Sequence, residues 1–310
     1  MDSAWILKGN HNEGWVRVWC PAKINLFLKI LKRLPNGYHE IQSLMLPIHL
    51  ADEIEIIAQD TPKELVIECT DPTIPIDHTN LAAKAFHALK ARGMPLSGVS
   101  ISIDKRIPAG AGLGGGSSDA AGVLKGLDFL FNLNLTRQEL LRVALSIGAD
   151  VPFFLMEQPC LVTGIGEILK PLNIRQKMWL LLGFPGFSIS TKKAYEAVDA
   201  ELTNTKTQVN MPLGLGGEVR QKGGERRLTN DLESPVFVWY PALKAFREKL
   251  EKLGAVEARM TGSGSSIFGI FEEKAKAEAA MTVIRKDFTE WKLYLTQPVW
   301  QGFDDKLEES

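Results

Sequence analysis

The chain has 310 residues, more than one hydrophobic core usually serves, so its length favours two domains of unequal size. A hydrophobic content of 45% and a charged content of 24% are ordinary for a globular enzyme, and such a chain can bury a core without disulfides or metals. The formal net charge of −1 excludes the basic excess that nucleic-acid and membrane-surface partners require, so neither partner is expected.

The first half of the chain predicts a mixture of strands and helices. Alternation over 16–19 and 23–28 predicts two strands joined at Pro21, because proline cannot donate to a sheet ladder and marks an edge or a bend. Asn36-Gly37 is a strong hairpin signal and predicts a turn. The other predicted elements of this half are strands over 52–58, 65–69 and 99–104, a helix over 80–92 and a helix opened by a capping box at 136–139. Several consecutive strands indicate an α+β (mixed α/β) fold rather than strict βαβ alternation.

A glycine-rich loop between these elements carries the strongest functional signal. It comprises Pro108, Ala109, Gly110, Ala111, Gly112, Leu113, Gly114, Gly115, Gly116, Ser117 and Ser118. Its glycines allow the backbone to approach an anion and to turn N–H groups inward, which tight packing alone would not require. The pattern predicts a helix of about fifteen residues starting near Ser117, and the positive end of its dipole would favour a phosphate.

This loop matches none of three common phosphate-binding patterns. Gly110, Gly112 and Gly115 satisfy GxGxxG, but the helix is followed by another helix and not by the strand with an acidic end that a dinucleotide site needs. A Walker A loop requires lysine at the position of Gly116, and the protein-kinase HRD and DFG motifs are missing from the sequence.

The second half predicts a smaller α/β domain that begins between 165 and 178, so the two domains are expected at 1–170 and 171–310. Its first buried strand is predicted over 178–183. The remaining elements are helices over 191–200, 240–254 and 272–286 and strands over 257–260, 267–271 and 292–296. Residues 205–227 are rich in glycine and lack periodicity, which predicts a mobile surface loop, and 304–310 predict a frayed, charged terminus.

Several polar residues are candidates for a site, each with a structural alternative. Lys23 and Asn25 share one face of a predicted strand, although a lysine there could simply face solvent. Asp150 lies in a predicted exposed turn before an apolar strand, where it could serve only as a turn or cap residue. Tyr38 and His39 follow the hairpin turn and could bind a base or only pack. The segment 261–266 is a second Gly/Ser loop that could contact phosphate or only form a hairpin turn.

Five segments together resemble the GHMP small-molecule kinase superfamily. They are 21–28 (PAKINLFL), 36–39 (NGYH), 108–121 (PAGAGLGGGSSDAA), 147–154 (IGADVPFF) and 260–268 (MTGSGSSIF). The resemblance extends from about Trp15 to Gln301 and implies a two-domain fold with an N-terminal nucleotide-binding domain that holds ATP along the glycine loop. It further implies that ATP, with Mg²⁺, phosphorylates the 2-hydroxyl of a methylerythritol linked to cytidine diphosphate, in the non-mevalonate route to isoprenoid precursors.

The resemblance also implies a role for individual residues. Lys23 and Asp150 would be the catalytic pair, with Asp150 as general base. Asn25, Tyr38 and His39 resemble substrate-recognition residues, and Thr191 and Tyr195 resemble residues of a cytidine pocket. Some relatives carry phenylalanine at the position of Tyr195, a mild departure because either ring can stack on a base. The stretch 213–226 and the residues before Trp15 match nothing in the family pattern.

Two alternatives remain at the level of sequence. A sibling kinase could act on mevalonate, homoserine or a sugar, although such a substrate has no base for the aromatic residues to hold. A nucleotide-binding regulator that has lost catalysis is a second alternative, against which the presence of both Lys23 and Asp150 argues. Three dispersed cysteines and an N-terminus without the features of a leader predict a cytoplasmic protein, and no obligate protein partner is implied.

Overall fold

A computed structural model describes residues 5–60, 64–174, 176–201 and 228–300. The loop predicted at 205–227 and the tail predicted at 304–310 lie outside these residues. The strands are β1 (Ile6–Asn10), β2 (Trp15–Arg33), β3 (His39–Gln59), β4 (Leu65–Cys69), β5 (Gly98–Asp104), β6 (Cys160–Gly164), β7 (Ile168–Pro171), β8 (Trp179–Phe184), β9 (Glu257–Met260), β10 (Ile267–Phe271) and β11 (Lys292–Thr296). The helices are α1 (Leu81–Lys90), α2 (Gly115–Leu130), α3 (Arg137–Ile147), α4 (Val151–Phe154), α5 (Thr191–Glu201), α6 (Glu233–Trp239), α7 (Pro241–Lys252) and α8 (Lys274–Asp287).

The described strands form two sheets. A seven-stranded sheet has the order β1-β2-β3-β5-β4, with β6 paired to β3 and β7 paired to β6. The pair β4–β5 is parallel and the other pairs of this sheet are antiparallel. A four-stranded antiparallel sheet has the order β11-β8-β10-β9.

The long hairpin of β2 and β3 is the centre of the first sheet. The two strands pair from Trp15 opposite Ile57 to Arg33 opposite His39, and the predicted turn lies between them. The prediction of two strands joined at Pro21 was wrong, since β2 runs through this residue. The predicted bend is present as a register shift between Pro21 and Ala22. The strand continues there because Pro21 lies beyond the residues that β1 covers, so its missing N–H interrupts no ladder with β1.

Helices α1, α2 and α3 begin at or near the positions where capping residues or glycines in the sequence predict a helix start. Asn80 caps α1, and Thr136 with Glu139 forms the predicted capping box of α3. Helix α2 begins at Gly115, two residues before the predicted start. The apolar strand predicted after Asp150 is instead the single helical turn α4, which has proline in its first turn. None of the described helices has the length and apolar character needed to cross a membrane.

The apolar core has three parts. Helices α1 and α2 cover one face of the first sheet, where Phe86 and Leu124 are fully buried. The second sheet packs on its own helices around Phe246. A third cluster joins the middle of the β2–β3 hairpin to β8 and β10, through residues such as Leu46 and Phe268. The two sheets are therefore joined by an apolar layer.

Candidate active site

The glycine-rich loop packs directly against the second Gly/Ser loop. Gly112 has a φ of +78°, and a Cβ at this position would lie 2.5 Å from the carbonyl oxygen of Thr261 and 2.8 Å from that of Gly264. Across the same contact the N–H of Ser266 donates to the Ala111 carbonyl at 3.1 Å. Only a residue without a side chain permits this approach, so the two loops form one continuous surface.

Helix α2 begins at Gly115, within the glycine-rich loop. Its N-cap is Gly114, in the left-handed region with a φ of +73°, and glycine has no side chain to accept a hydrogen bond from the first turn. The first N–H groups of a helix lack intrahelical partners and carry the positive end of its dipole. The start of α2 thus has the features that favour an anion, and the anion site predicted from the sequence stays a prediction.

Lys23 lies buried beside the loop. Its N–H donates to the Leu113 carbonyl at 2.9 Å, which ties β2 to the loop. The Nζ atom donates to Asn25 Oδ1 at 2.5 Å and lies 3.9 Å from Asp150 Oδ2. Burial lowers the pKa of Lys23 from its ordinary value, and the charge of Asp150 partly opposes this shift. The alternative of a solvent-facing lysine is excluded, because its side chain is only 5% exposed.

Asn25 connects Lys23 to both sheets. Its Nδ2 donates to Ser43 Oγ at 2.8 Å, so its Oδ1 is the atom that accepts from Lys23. Its backbone N–H donates to Thr261 Oγ1 at 3.0 Å, at the start of the second Gly/Ser loop. The amide is oriented by this network and holds the lysine in place.

Asp150 stands at the end of α3 where α4 begins. Its side chain makes no capping bond to α4 and is 37% exposed, so the alternative of a purely capping aspartate is not what the structure has. Burial, and then the charge of Asp150, raise the pKa of Tyr195 above its ordinary range.

The predicted aromatic residues lie at the β2–β3 turn and on α5. Tyr38 is 60% exposed at the turn, whereas the ring of His39 is buried and lies 4.9 Å from that of Tyr195. Thr191, at the start of α5, shares a hydrogen bond of 2.8 Å with Ser263 of the second Gly/Ser loop. The structure thus brings Lys23, Asn25 and Asp150 together beside the glycine loop, and it brings His39 together with Tyr195.

Two family models match the chain. GHMP kinases N terminal domain matches residues 80–158 and GHMP kinases C terminal matches residues 218–290. The 4-diphosphocytidyl-2-C-methyl-D-erythritol kinase of Syntrophus aciditrophicus is 37% identical over 285 residues, which cover 92% of the chain and 99% of that protein. The enzyme of the same name from Pelobacter propionicus is 39% identical over 260 residues, covering 84% of the chain and 91% of that protein. The chain belongs to this family of kinases.

Solved structures agree with the family. A crystal structure of 4-(cytidine 5'-diphospho)-2C-methyl-D-erythritol kinase has a TM-score of 0.71 at 34% identity and covers 91% of the chain and 99% of its own. A homoserine kinase from Cytophaga hutchinsonii has a TM-score of 0.69 at 17% identity, covers 96% of the chain and 98% of its own, and shows the fold alone. The predicted superfamily, mixed α/β fold and kinase class are confirmed. GHMP kinases are ATP-dependent, so ATP is the phosphoryl donor of this family member.

Some residues of this kinase site were missed by sequence reasoning. Asp199 contacts His39, and its position four residues after Tyr195 on a predicted helix was a usable signal, because residues four apart share a face. Asn230 donates through Nδ2 to the carbonyls of Met260 and Gly262, which fixes the second Gly/Ser loop. No local pattern marks Asn230, because its partners lie some thirty residues away in the chain.

Proposed function

We propose that this kinase transfers the γ-phosphoryl group of ATP to the 2-hydroxyl of 4-diphosphocytidyl-2-C-methyl-D-erythritol, with Asp150 as general base and Lys23 as its electrostatic partner. The step belongs to the non-mevalonate route to isoprenoid precursors. The observation that carries the proposal is the Lys23–Asp150 pair, 3.9 Å apart, in which Lys23 is tied to the glycine-rich loop through the Leu113 carbonyl.

The glycine-rich loop Pro108–Ser118 would hold the phosphates of ATP. Its backbone N–H groups and the N-terminus of α2 would suit a polyphosphate, and the close contact of Gly112 with the second Gly/Ser loop would fix the width of this phosphate cradle. Lys23 is tied to the same loop through the Leu113 carbonyl. Its cation therefore lies beside the phosphate site and can offset charge that develops on the transferred group.

Asp150 would accept the proton of the attacking hydroxyl. As the new O–P bond forms, the bond from phosphorus to the bridging oxygen of ADP breaks, and the hydroxyl proton passes to the carboxylate. A base must be ionised and within reach of substrate. The side chain of Asp150 is 37% exposed, which would let it reach substrate, and its carboxylate lies 3.9 Å from the Nζ atom of Lys23.

Mg²⁺ accompanies ATP in this proposal. The described residues contain no cluster of three His, Cys, Asp or Glu side chains that could hold a metal. This fits an ion bound mainly by phosphate oxygens and water, as Mg²⁺ often is. Ser118 Oγ is buried without a hydrogen-bond partner among the described residues and would be a protein ligand. The ion would neutralise charge on the β- and γ-phosphates.

The other end of the substrate would lie in a cleft lined by the aromatic residues Tyr38, His39 and Tyr195. Tyr38 and Tyr195 would stack on the cytosine, His39 would bond its edge, and Asn25 and Thr191 would contact the remaining polar groups. In this assignment substrate residues come from both sides of the boundary proposed at 170, which falls near the end of β7. The segment 1–170 would bind ATP and carry the catalytic pair, and 171–310 would complete the substrate side.

Incubation with ATP, Mg²⁺ and a panel of alcohols tests the proposal. The panel contains 4-diphosphocytidyl-2-C-methyl-D-erythritol, the same polyol without the cytidine diphosphate, mevalonate, homoserine and a hexose. ADP release identifies the acceptor, and phosphorus NMR of the product identifies the hydroxyl. Turnover of the cytidine-linked polyol alone is expected. Preference for mevalonate, homoserine or the hexose would replace the substrate assignment, and ATP binding without any turnover would favour the regulator.

A further inference from the structure

A carboxylate fixes the imidazole of His39 from the side of α5. His39 Nε2 lies 2.6 Å from Asp199 Oδ1, and the two side chains are only 7% and 18% exposed. A carboxylate can only accept a hydrogen bond, so the proton of this contact is on Nε2. Arg33 NH1 lies 3.4 Å from the other oxygen of Asp199.

The second ring nitrogen then has a defined character. In a neutral imidazole with its proton on Nε2, Nδ1 is an acceptor. Within the described part of the chain, no group donates a hydrogen bond to Nδ1. The ring is held in place by its contact with Tyr195, at 4.9 Å between centroids, so this acceptor has a fixed direction.

Cytosine and uracil differ in the exocyclic group that a hydrogen-bond acceptor of the protein would contact. Cytosine carries an exocyclic amino group, which donates, where uracil carries a carbonyl oxygen, which accepts. A fixed acceptor pairs with the first and repels the second. The opposite tautomer, with the proton on Nδ1, would reverse the preference.

We propose that Asp199 is a positioning residue that holds His39 in the Nε2–H tautomer and thereby makes the cleft select cytosine over uracil. This inference rests on the proposed function, in which His39 faces the base. The competing account is that Asp199 only ties α5 to the β2–β3 hairpin, which would affect all ligands alike.

Two measurements on Asp199→Ala separate these accounts. Nitrogen-15 NMR of the histidine side chains reports the tautomer of His39, whose signal is identified by its loss in His39→Asn. The wild type is expected to show the Nε2–H form, and the variant a mixture of both forms. Calorimetry with CDP and UDP reports selectivity. CDP is expected to bind at least about tenfold more tightly to the wild type, because a mismatched acceptor pair leaves polar groups unpaired, and the ratio should fall towards one in the variant.

Control variants test whether the effects of Asp199→Ala come from the loss of this particular carboxylate. Glu196→Ala removes an exposed carboxylate from the same helix, paired only with Lys192 at 3.9 Å among the described residues, and should change neither the tautomer nor the ratio. Asp199→Glu keeps an acceptor and should retain part of the preference. Asp199→Leu, close in size but without an acceptor, replaces the alanine variant should that one fail to fold.

The failures are distinguishable. An unchanged tautomer, or an equal loss of CDP and UDP binding in Asp199→Ala, overturns the inference and leaves the proposed function intact. Absence of both CDP and UDP binding to the folded wild type overturns the proposed cytidine pocket, and the selectivity with it, whatever the NMR spectra show.

Discussion

Lys23 is a cation in the middle of a buried strand, and such a position costs free energy unless partners compensate it. Its partners are one amide oxygen, at 2.5 Å, and one partly exposed carboxylate, at 3.9 Å. The lowered pKa of Lys23 shows that burial outweighs these partners. A folded protein gains little from this arrangement, so a role in the reaction is the better reason for it.

Removal of either member of the pair should therefore affect chemistry more than binding. Asp150→Asn is expected to lower kcat and kcat/KM together by about 10²–10⁴-fold, the contribution of a positioned base. Lys23→Ala should act in the same way, and the double variant should be scarcely slower than the slower single one. Steady-state kinetics checks this, with Asp287→Asn as control, since that carboxylate pairs with Lys249 at the surface. If Asp150→Asn retains more than about a tenth of wild-type kcat, Asp150 is not the general base.

A second buried charge cluster lies beneath the glycine loop and predicts a pH effect on stability. Lys105 Nζ lies 2.5 Å from Asp52 and 2.8 Å from Asp119, whose Oδ1 is buried without a partner among the described residues. Burial raises the pKa of Asp119 to about 7, against the opposing charge of Lys105. The unfolded value is about 3.9, so between about pH 4 and pH 7 the folded state keeps a proton that the unfolded chain has lost.

It follows that Asp119 makes the free energy of unfolding fall as pH rises through this window. Asp119→Asn should flatten that slope by up to about 1.4 kcal/mol per pH unit. Urea denaturation at several pH values from 5.5 to 7.5 measures the slope for both proteins, and the comparison cancels other titrating groups. Equal slopes would mean that Asp119 stays ionised in the folded state.

The contact between the two glycine loops explains why glycine is needed at one position in particular. Gly112→Ala must either separate the loops or distort the left-handed backbone, and both widen the phosphate cradle. We expect ATP affinity to fall by at least tenfold, with a loss of roughly 1–3 kcal/mol in stability. Calorimetry with ATP and thermal unfolding measure these effects.

Gly93→Ala is the matched control for this variant. Gly93 has nearly the same φ, +76° against +78°, but a Cβ there would meet no atom within 4 Å. Gly93→Ala therefore introduces the same backbone strain as Gly112→Ala but no steric clash with a neighbouring loop. Similar ATP affinity in the two variants would show that the loop contact does not shape the nucleotide site.

Elements with local signals were predictable and those that depend on distant contacts were not. Asn80 and Thr136 mark helix starts through their own side chains, so α1 and α3 were predicted nearly to the residue. The short strand β6 gains its order from pairing with β3, and β7 gains its order from pairing with β6. Helix α6 contains Pro235, which argues against a helix in isolation. In the site, alternation revealed Lys23 and Asn25, whereas Asn230 has no local mark.

The apolar layer between the sheets predicts how the folded chain loses its structure. Leu46 and its neighbours in this layer contact both sheets, so neither sheet can unfold without exposing part of the core of the other. Calorimetric unfolding of the wild type should show one transition. Leu46→Ala should keep one transition and cost about 2–5 kcal/mol, because the side chain is fully buried.

Leu145→Ala supplies the control for that substitution. Leu145 is 48% exposed on α3, and its truncation should change the free energy of unfolding by less than about 1 kcal/mol. Two resolved transitions in the wild type would show that the sheets unfold separately and that the shared layer is too weak to couple them.

The alternation of side chains between the two faces of β2 also restricts where residues can be inserted into this chain or deleted from it. Ile24 and Leu26 enter the layer between the sheets, while Lys23 and Asn25 point to the opposite face. One residue inserted after Ala22 would reverse every side chain that follows, bringing an ammonium group into the apolar layer and an isoleucine into the cleft. The exposed turn at Gly37 has no such constraint, since no atom lies within 4 Å of a Cβ there. Insertions and deletions should thus accumulate at the turn, where they alter how far Tyr38 reaches, and be excluded from the strand that leads to it.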